Sequence, residues 1–259
     1  MSSSDLSQRW LTPDPGRLWL VATVVEVRTE CRDATTLLLE LPEPVDFVAG
    51  QYFLVRVRVD AAPGVVEQAY SVSSSPWPPS STIEITVRDV PGGRGSPLLA
   101  RRVAAGDQLH LHGPFGALTW DGVDAGPLMM IGAGSGVAPF ASIVRSASAR
   151  RSTTPMALLC SSRDRITALF REAFDELDHR EDRLLVIHTF TRSPRDLSAR
   201  YHRRIDASML NEVIGTLRLR DPAPPSLLIA GPLEMVAVAR QACAALGIEN
   251  ERINYELHA

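Results

Sequence analysis

Cysteine is scarce in this chain of 259 residues, which contains only three. Cys31, Cys160 and Cys243 lie far apart and are odd in number, so neither a disulfide framework nor a zinc or iron–sulfur ligand set is expected. No cluster of His, Cys or carboxylate residues has the spacing of metal ligands either, and no metal site is predicted. Any electrons that this protein handles therefore need a non-protein carrier.

Long apolar runs and an excess of one charge are also missing. No apolar run approaches the ~20 residues that span a bilayer, and residues 1–9 are polar with no signal-peptide core. The 27 basic and 30 acidic side chains give a net charge of −3, so no broad field favours nucleic acid or an anionic membrane. We expect a cytoplasmic protein with no membrane span and no nucleic-acid partner.

The apolar periodicity changes midway along the chain. In the first half apolar residues recur at every second position, as in Ile83, Ile85 and Val87, which is typical of strands with one solvent-facing side. In the second half short apolar runs alternate with helix-length segments, which predicts a parallel sheet covered on both faces. The predicted fold is a two-domain one, an antiparallel Greek-key β-barrel over 17–122 followed by an α/β doubly wound parallel sheet over 126–259.

Individual elements follow from the same patterns. A turn-rich linker is predicted at 119–127. His110 and His112 alternate with Leu109 and Leu111, so both histidines are expected on the solvent face of their strand. In the second half, strands are predicted at 128–131, 156–159, 184–187, 227–230 and 253–257, and helices at 138–149, 165–177, 207–214 and 233–246.

A glycine-rich turn, Gly132–Pro139, directly follows the first strand of the second half and opens a helix. Glycines let the backbone approach a pyrophosphate, and the free amides and dipole of the helix N-terminus favour its negative charge. Pro139 loses nothing in the first helical turn, where its missing amide has no helical partner. A tight turn without a ligand is the alternative, but the strand-turn-helix context favours a nucleotide.

The next strand ends in Cys160-Ser161-Ser162-Arg163, where the commonest dinucleotide-binding domains carry an acid for the ribose hydroxyls. A hydroxyl-rich, basic turn suits a 2′-phosphate better, so NADPH is slightly favoured over NADH. Ser162 as a helix cap and Arg163 as a solvated charge are the alternatives. Arg192, just past the third strand, is either a further nucleotide contact or a surface arginine.

Three motifs occur in order along the chain: Tyr70-Ser71-Val72-Ser73-Ser74, Gly93-Arg94-Gly95-Ser96 and Gly134–Pro139. Together they resemble the ferredoxin-NADP reductase superfamily, whose members carry Arg-x-Tyr-Ser-x-x-Ser, Gly-x-x-Ser and Gly-[Ser/Thr]-Gly-x-x-Pro at similar separations. The resemblance covers nearly the whole chain. Gly113–Gly116, Gly231-Pro232 and Glu256 support it.

The resemblance implies a role for each matching residue. Tyr70 would pack flat against the isoalloxazine, Ser71 would lie by flavin N5, and the loop from Gly93 to Ser96 would bind flavin phosphate. The implied catalytic residues are Tyr70, Ser71 and Glu256. The implied flavin contacts are Gln68, Tyr70, Ser71, Val72, Ser73, Gly93, Gly95, Ser96 and His258, and those to the nicotinamide nucleotide are Gly134, Ser135, Gly136, Pro139, Ser161, Arg163, Arg192, Gly231 and Pro232. FAD is expected rather than FMN.

Three positions depart from the family pattern. Gln68 stands where the family has an arginine to flavin phosphate, which removes one charge-assisted contact; the candidate substitutes are Arg56, Arg88 and Arg94. Ala230 replaces a cysteine common before Gly-Pro, which predicts slower hydride transfer. His258 lies where relatives often carry an aromatic ring over the flavin, and it either stacks there or lies free near the chain terminus.

The predicted function is hydride transfer from NAD(P)H to flavin, followed by release of single electrons to a separate protein. Because the chain lacks iron–sulfur ligands, the acceptor would be a ferredoxin, an oxygenase component or a molybdoenzyme. A non-catalytic nucleotide-binding or regulatory module that has lost flavin is a second hypothesis, motivated by Gln68 and Ala230. A plain NAD(P)-dependent dehydrogenase is disfavoured, because the barrel half carries no acid/base pair.

Overall fold

The computed structural model describes residues 19–59, 64–122 and 126–258. The polar start at 1–9, the first two positions of the predicted barrel domain and residues 123–125 of the predicted linker lie outside these ranges. The described start of the linker packs into the fold, since Trp120 is buried and forms an isolated bridge with Ala49.

The first half of the chain forms one antiparallel six-stranded sheet. The elements are β1 (Leu20–Cys31), β2 (Ala34–Glu40), β3 (Tyr52–Arg58), β4 (Val65–Ser71), β5 (Thr82–Arg88), the helix α1 (Ser96–Arg101) and β6 (Gln108–Phe115). The strand order in the sheet is β4-β3-β6-β1-β2-β5, and a bridge between Val72, just after β4, and Ile85 in β5 brings the two ends of the sheet together. Inward residues such as Phe53 and Leu37 are fully buried, as the period of two predicts.

The prediction that His110 faces solvent is wrong, because the residue is only 4% exposed. His110 pairs across the sheet with Arg56, and the Arg56 guanidinium lies 4.0 Å from the centre of the Trp19 ring. Burial lowers the pKa of His110, and the charge of Arg56 lowers it further. A layer of side chains over the outer face of the barrel, which periodicity alone does not reveal, therefore covers this position.

The second half forms a five-stranded parallel sheet with helices on both faces, so the predicted two-domain fold is confirmed. The elements of this half are β7 (Leu128–Ala133), α2 (Ala138–Ala149), β8 (Met156–Ser162), α3 (Arg171–Arg180), β9 (Leu184–Phe190), α4 (Ala207–Arg220), β10 (Ser226–Gly231), α5 (Leu233–Ala245) and β11 (Ile253–Leu257). The strand order is β11-β10-β7-β8-β9, and a separate apolar core lies on each side of the sheet.

The predicted helix at 165–177 is divided in the structure. Residues Arg165–Thr167 form a short 3₁₀ turn, in which the Asp164 carboxylate accepts from the Thr167 amide at 3.0 Å. Phe170 then adopts a left-handed conformation with φ 54°, and α3 begins at Arg171. A side-chain cap and a reversal of φ thus interrupt a segment whose apolar spacing alone suggests one helix.

The order in which strands are added to the sheet reverses at β7. Strands β8 and β9 lie on one side of β7, whereas β10 and β11 lie on the other. In open α/β sheets such a switch point leaves a crevice at the carboxyl ends of the strands, and ligands bind there. The glycine turn occupies this position.

Candidate active site

A cleft of about 410 Å³ opens between the barrel and the parallel-sheet domain. Its volume falls within the ~300–1,000 Å³ typical of small-molecule sites. The barrel contributes β4, β5 and the loop at 90–96, and the other domain contributes the glycine turn and β11. The lining residues are Gln68, Ala69, Tyr70, Ser71, Thr86, Arg88, Val90, Gly93, Ser96, Ser135, Ala138, Glu256, Leu257 and His258.

The cleft brings together predicted residues from distant parts of the sequence. Tyr70 and Ser71 line it from β4, Ser135 from the glycine turn, and Glu256 and His258 from the end of β11. Gln68, Gly93 and Ser96 line the same space. The structure thus brings most of the predicted flavin contacts around one cavity, together with Ser135 alone of the predicted nucleotide contacts, and the role of each side chain stays a prediction.

Three predicted flavin contacts do not line the cleft. Val72 is fully buried in the barrel core. Ser73 is also fully buried, and its hydroxyl lies 3.2 Å from Thr86 Oγ1 and 3.3 Å from the carbonyl oxygen of Glu84. Gly95 lies behind Gln68, since a β-carbon on Gly95 would be 2.4 Å from Gln68 Oε1. Val72, Ser73 and Gly95 therefore support the conformation of their motifs and do not line the cavity.

Gln68 and Tyr70 are joined on the cleft wall. The Tyr70 hydroxyl donates to Gln68 Oε1 at 3.1 Å, and burial raises the pKa of the phenol, so the ring stays neutral. Of the three arginines that could compensate for Gln68, Arg88 lines the cleft. Arg56 pairs with Glu67 at 2.9 Å, and Arg94 is exposed on its loop.

Glu256 and His258 form the wall contributed by the last strand. The His258 backbone amide donates to the Gly231 carbonyl oxygen at 3.0 Å, which ties it to β10. Its Nε2 atom has no hydrogen-bond partner and lies 3.8 Å from Glu256 Oε1. Burial raises the pKa of Glu256 and lowers the pKa of His258. Both shifts favour the neutral forms.

Glu256→Gln is expected to stabilise the protein above the pKa of Glu256 and to change little in acid. The raised pKa means that the folded state holds a proton that the unfolded state has lost, so stability from this group falls as pH rises from the unfolded to the folded pKa. The side-chain amide of glutamine does not ionise, so the variant avoids the cost of burying a negative charge at this position. Thermal unfolding of both proteins at acid and alkaline pH would test this; a constant difference in Tm would show that Glu256 is not the titrating group.

The predicted nucleotide residues lie along the carboxyl ends of the parallel strands. The Arg192 amide donates to the Arg163 carbonyl oxygen at 2.8 Å, which holds the loops after β8 and β9 together. The Arg163 side chain forms an ion pair with Asp33 of the barrel, whereas Arg192 is exposed. Ser161 lies one residue before the end of β8, and Gly231 ends β10 near the glycine turn, with Pro232 directly after it.

Gly134 and Gly136 differ in what surrounds them. Gly134 has φ +60° with no atom within 4 Å of where a β-carbon would be, so its backbone faces open space. A β-carbon on Gly136 would lie 2.2 Å from the Ala230 carbonyl oxygen. Gly134 leaves room for a ligand, whereas Gly136 allows the turn to contact β10. Pro139 is buried in the first turn of α2.

Two residues at the domain boundary were not predicted from sequence. Arg145 in α2 donates from one guanidinium nitrogen to the Ser73 carbonyl oxygen and to Glu84 Oε2, both at 2.8 Å. Asp33 pairs with Arg88 as well as Arg163. Neither residue lies in a motif, and each contact joins positions far apart in the chain, so no local signal marks them.

Neither a membrane-crossing helix nor a metal-ligand cluster occurs in the described part of the chain. None of the helices at 19–59, 64–122 or 126–258 is both long and apolar enough to cross a lipid bilayer. Over the same ranges, no three side chains of His, Cys, Asp or Glu converge as metal ligands do.

A barrel and a doubly wound domain that share a cleft between an aromatic-serine wall and a glycine turn define a class of two-domain flavin- and nicotinamide-dependent oxidoreductases. Residues 21–120 match the family model of the oxidoreductase FAD-binding domain, and residues 130–241 match that of the oxidoreductase NAD-binding domain. The chain belongs to the ferredoxin-NADP reductase superfamily, and FAD and NAD(P)H are its cofactors.

Relatives with described activities are similar over most of this chain. One component of the 1,2-phenylacetyl-CoA epoxidase of Escherichia coli K12 is 28% identical over 90% of this chain and 66% of its own length. The ferredoxin reductase component of a Mycolicibacterium smegmatis 3-ketosteroid-9-alpha-monooxygenase is 29% identical over 95% and 68%. The chain spans 43% of the reductase component of an Amycolatopsis aromatic O-demethylase, at 38% identity over 54% of this chain. It is thus shorter than all three relatives.

Solved structures share the arrangement of the two domains. The ferredoxin reductase of carbazole 1,9a-dioxygenase superposes with a TM-score of 0.76 at 26% identity, over 96% of this chain and 71% of that one. A ferredoxin NADP+ reductase of Neisseria gonorrhoeae, solved with FAD and NADP, gives a TM-score of 0.75 at 24% identity over 92% and 98%. The second likeness shows the fold alone.

Proposed function

We propose that this protein is a reductase that takes hydride from NAD(P)H and passes electrons, through FAD, to a separate redox protein. The observation that carries the proposal is the open cleft between Tyr70-Ser71 on the barrel and Ser135 in the glycine turn. Bound flavin would supply the conversion of a two-electron donor into a source of single electrons. The chain's own residues hold the two rings together and exclude water.

On the flavin side, Tyr70 offers an aromatic face for stacking on a flat ring. Ser71 places a buried hydroxyl on the cleft wall, where a donor stabilises charge that develops on reduction. Gly93 and Ser96 line the end of the cleft proposed for the flavin phosphate. The unpartnered His258 Nε2 and the carboxyl of Glu256, whose pKa is raised by burial, face the same space from the β11 side.

On the nucleotide side, the exposed backbone around Gly134 and Ser135 is suited to a pyrophosphate. The loops at Ser161 and Arg192 are proposed to hold the adenosine end, and Gly231-Pro232 the nicotinamide end. The proposed domain limits are 17–122 for the flavin domain and 126–259 for the nucleotide domain.

We propose a ferredoxin or an oxygenase component as the acceptor. Support comes from the relatives named as reductase components of oxygenase systems and from the absence of a metal cluster site among the described residues. A molybdoenzyme is an alternative acceptor that no feature of the structure favours. We propose the cytoplasm as the location, because the three cysteines form no disulfide, as is usual in a reducing compartment.

Reconstitution tests the proposal directly. The purified protein is incubated with excess FAD, freed of unbound flavin and mixed with NADH or NADPH and ferricyanide. We expect bound FAD and NAD(P)H-driven reduction of ferricyanide, and then of a ferredoxin. A protein that retained no flavin and reduced no acceptor would instead support the non-catalytic nucleotide-binding module.

Tyr70→Leu is expected to weaken FAD binding about 5-fold, because an aromatic contact of ~1 kcal/mol beyond simple burial is lost. FAD affinity is measured by quenching of flavin fluorescence. Tyr255→Leu is the matched control, since Tyr255 lies on β11, does not line the cleft and is 47% exposed. Equal FAD affinity in both variants would remove Tyr70 from the proposed flavin site.

A further inference from the structure

A single carboxylate joins the flavin side of the molecule to the nucleotide side. Asp33 lies in the turn between β1 and β2 and receives Arg88 on Oδ1 and Arg163 on Oδ2. Arg88 comes from the barrel and lines the cleft, whereas Arg163 comes from the loop after β8. Asp33 thus contributes a negative charge from one domain to the ligand edge of the other.

The position of Asp33 is fixed from several directions. Besides its two arginine partners, its carbonyl oxygen accepts from the Asp89 amide at 2.8 Å, and the Cys31 thiol lies 3.4 Å from Oδ1. Arg88 also donates to the Thr167 carbonyl oxygen at 2.9 Å, which anchors it to the nucleotide domain. The carboxylate is therefore preorganised beside Arg163 and is only one-fifth exposed.

Arg163 lies where a dinucleotide-binding domain distinguishes the two coenzymes. The end of the second strand of such a domain meets the adenosine ribose, where an acid favours the free hydroxyls of NADH and a cation favours the 2′-phosphate of NADPH. Here the cation is the Arg163 guanidinium, which already forms an ion pair with Asp33, a carboxylate that it shares with Arg88. A 2′-phosphate would have to displace that carboxylate or bind close to it.

We propose that Asp33, a residue of the flavin domain, is a specificity determinant that shifts preference from NADPH towards NADH. It does so by holding the Arg163 guanidinium in an ion pair and by placing a negative charge near the 2′-position. The inference rests on the proposed function, because it assumes that the adenosine ribose binds beside β8. It also argues against the expectation of NADPH, which rests on the hydroxyl-rich, basic turn that contains Arg163.

Asp33→Asn tests the inference in the FAD-loaded protein. We expect the ratio of kcat/KM for NADPH to that for NADH to rise about 10-fold, because a charge-assisted contact to phosphate becomes available. Calorimetry with 2′,5′-ADP and 5′-AMP, which needs no turnover, should show tighter binding of 2′,5′-ADP and unchanged binding of 5′-AMP.

Further variants define the cause of the effect. Asp33→Asn combined with Arg163→Gln should lose the gain, because the freed guanidinium is what binds the phosphate. Asp89→Asn is the matched control, since Asp89 is another barrel carboxylate paired with an arginine, Arg101, of its own domain. Asp33→Ser replaces Asp33→Asn if the latter does not fold.

The outcomes separate this inference from the proposed function. If the wild-type protein binds FAD and is reduced by NADH, but the NADPH to NADH ratio is unchanged in the Asp33 variants, the inference fails and the function stands. An equal change for both nucleotides would also overturn it, because Asp33 would then serve only to join the domains. A wild-type protein that neither binds FAD nor oxidises NADH would contradict the function itself.

Discussion

Gly136→Ala is expected to lower the free energy of unfolding by about 3 kcal/mol and to abolish measurable nucleotide binding, since overpacking costs about 1–3 kcal/mol and the atoms met here are backbone atoms that cannot easily move. The added methyl group would lie 2.2 Å from the Ala230 carbonyl oxygen, 2.4 Å from the Ala230 carbonyl carbon and 2.8 Å from the Gly231 nitrogen. These are backbone atoms of β10, which is hydrogen-bonded on both sides to β7 and β11. The glycine turn must therefore move away from the sheet.

Gly215→Ala is the control for this prediction. Gly215 lies in α4 of the same domain, and nothing lies within 4 Å of its missing β-carbon. Alanine there should stabilise the helix by ~0.5–1 kcal/mol. Urea unfolding and calorimetry with NAD+ measure both effects. A Gly136→Ala protein with wild-type stability and nucleotide affinity would show that the turn does not need to contact β10.

Arg145→Met is expected to slow reduction of the flavin by NADH about 10- to 100-fold while leaving FAD affinity unchanged. Arg145 joins α2, which follows directly after the glycine turn, to the Ser73 carbonyl oxygen and to Glu84 in the barrel. Without it the two domains lose a contact to Ser73, which belongs to the predicted flavin motif. A misplacement of ~1 Å between reacting groups can cost about 100-fold in rate.

Stopped-flow absorbance measures flavin reduction, and equilibrium titrations give the FAD and NADH dissociation constants. Arg145→Lys should recover part of the rate, because an ammonium group can still pair with Glu84. Arg180→Met is the control, since Arg180 pairs with Glu176 within one exposed helix turn. If Arg145→Met is reduced as fast as the wild type, this contact is not needed to align the domains.

Periodicity predicted the fold because each domain has a large apolar core and a regular pattern. The strands at Met156–Ser162 and Leu184–Phe190 extend a few residues beyond their apolar runs, because their polar ends remain hydrogen-bonded to neighbouring strands. The helix at Ala138–Ala149 has the predicted limits. The division at Phe170 was not predictable, since it depends on local caps that apolar spacing does not encode.

The candidate site was predictable where short motifs carry it. The cleft brings together three positions that are widely separated in sequence, namely Tyr70-Ser71, Ser135 and Glu256. A motif alone does not indicate which of its side chains face inward, so the burial of Val72 could not be predicted from it. The ion pairs of Asp33 and Arg145 depend on the packing of one domain against the other, which no local pattern reports.

The position of β11 has a consequence for synthesis of the protein. Glu256 and His258 form one wall of the cleft, and they lie on and just after β11, far downstream of Tyr70 and Ser71 in the sequence. A nascent chain emerges from the ribosome with its N-terminal domain first, so the barrel can fold while this wall is still being translated. FAD that meets the emerging barrel would find Tyr70 and Ser71 but no opposite wall. The proposed flavin site is therefore complete only after β11 has been translated.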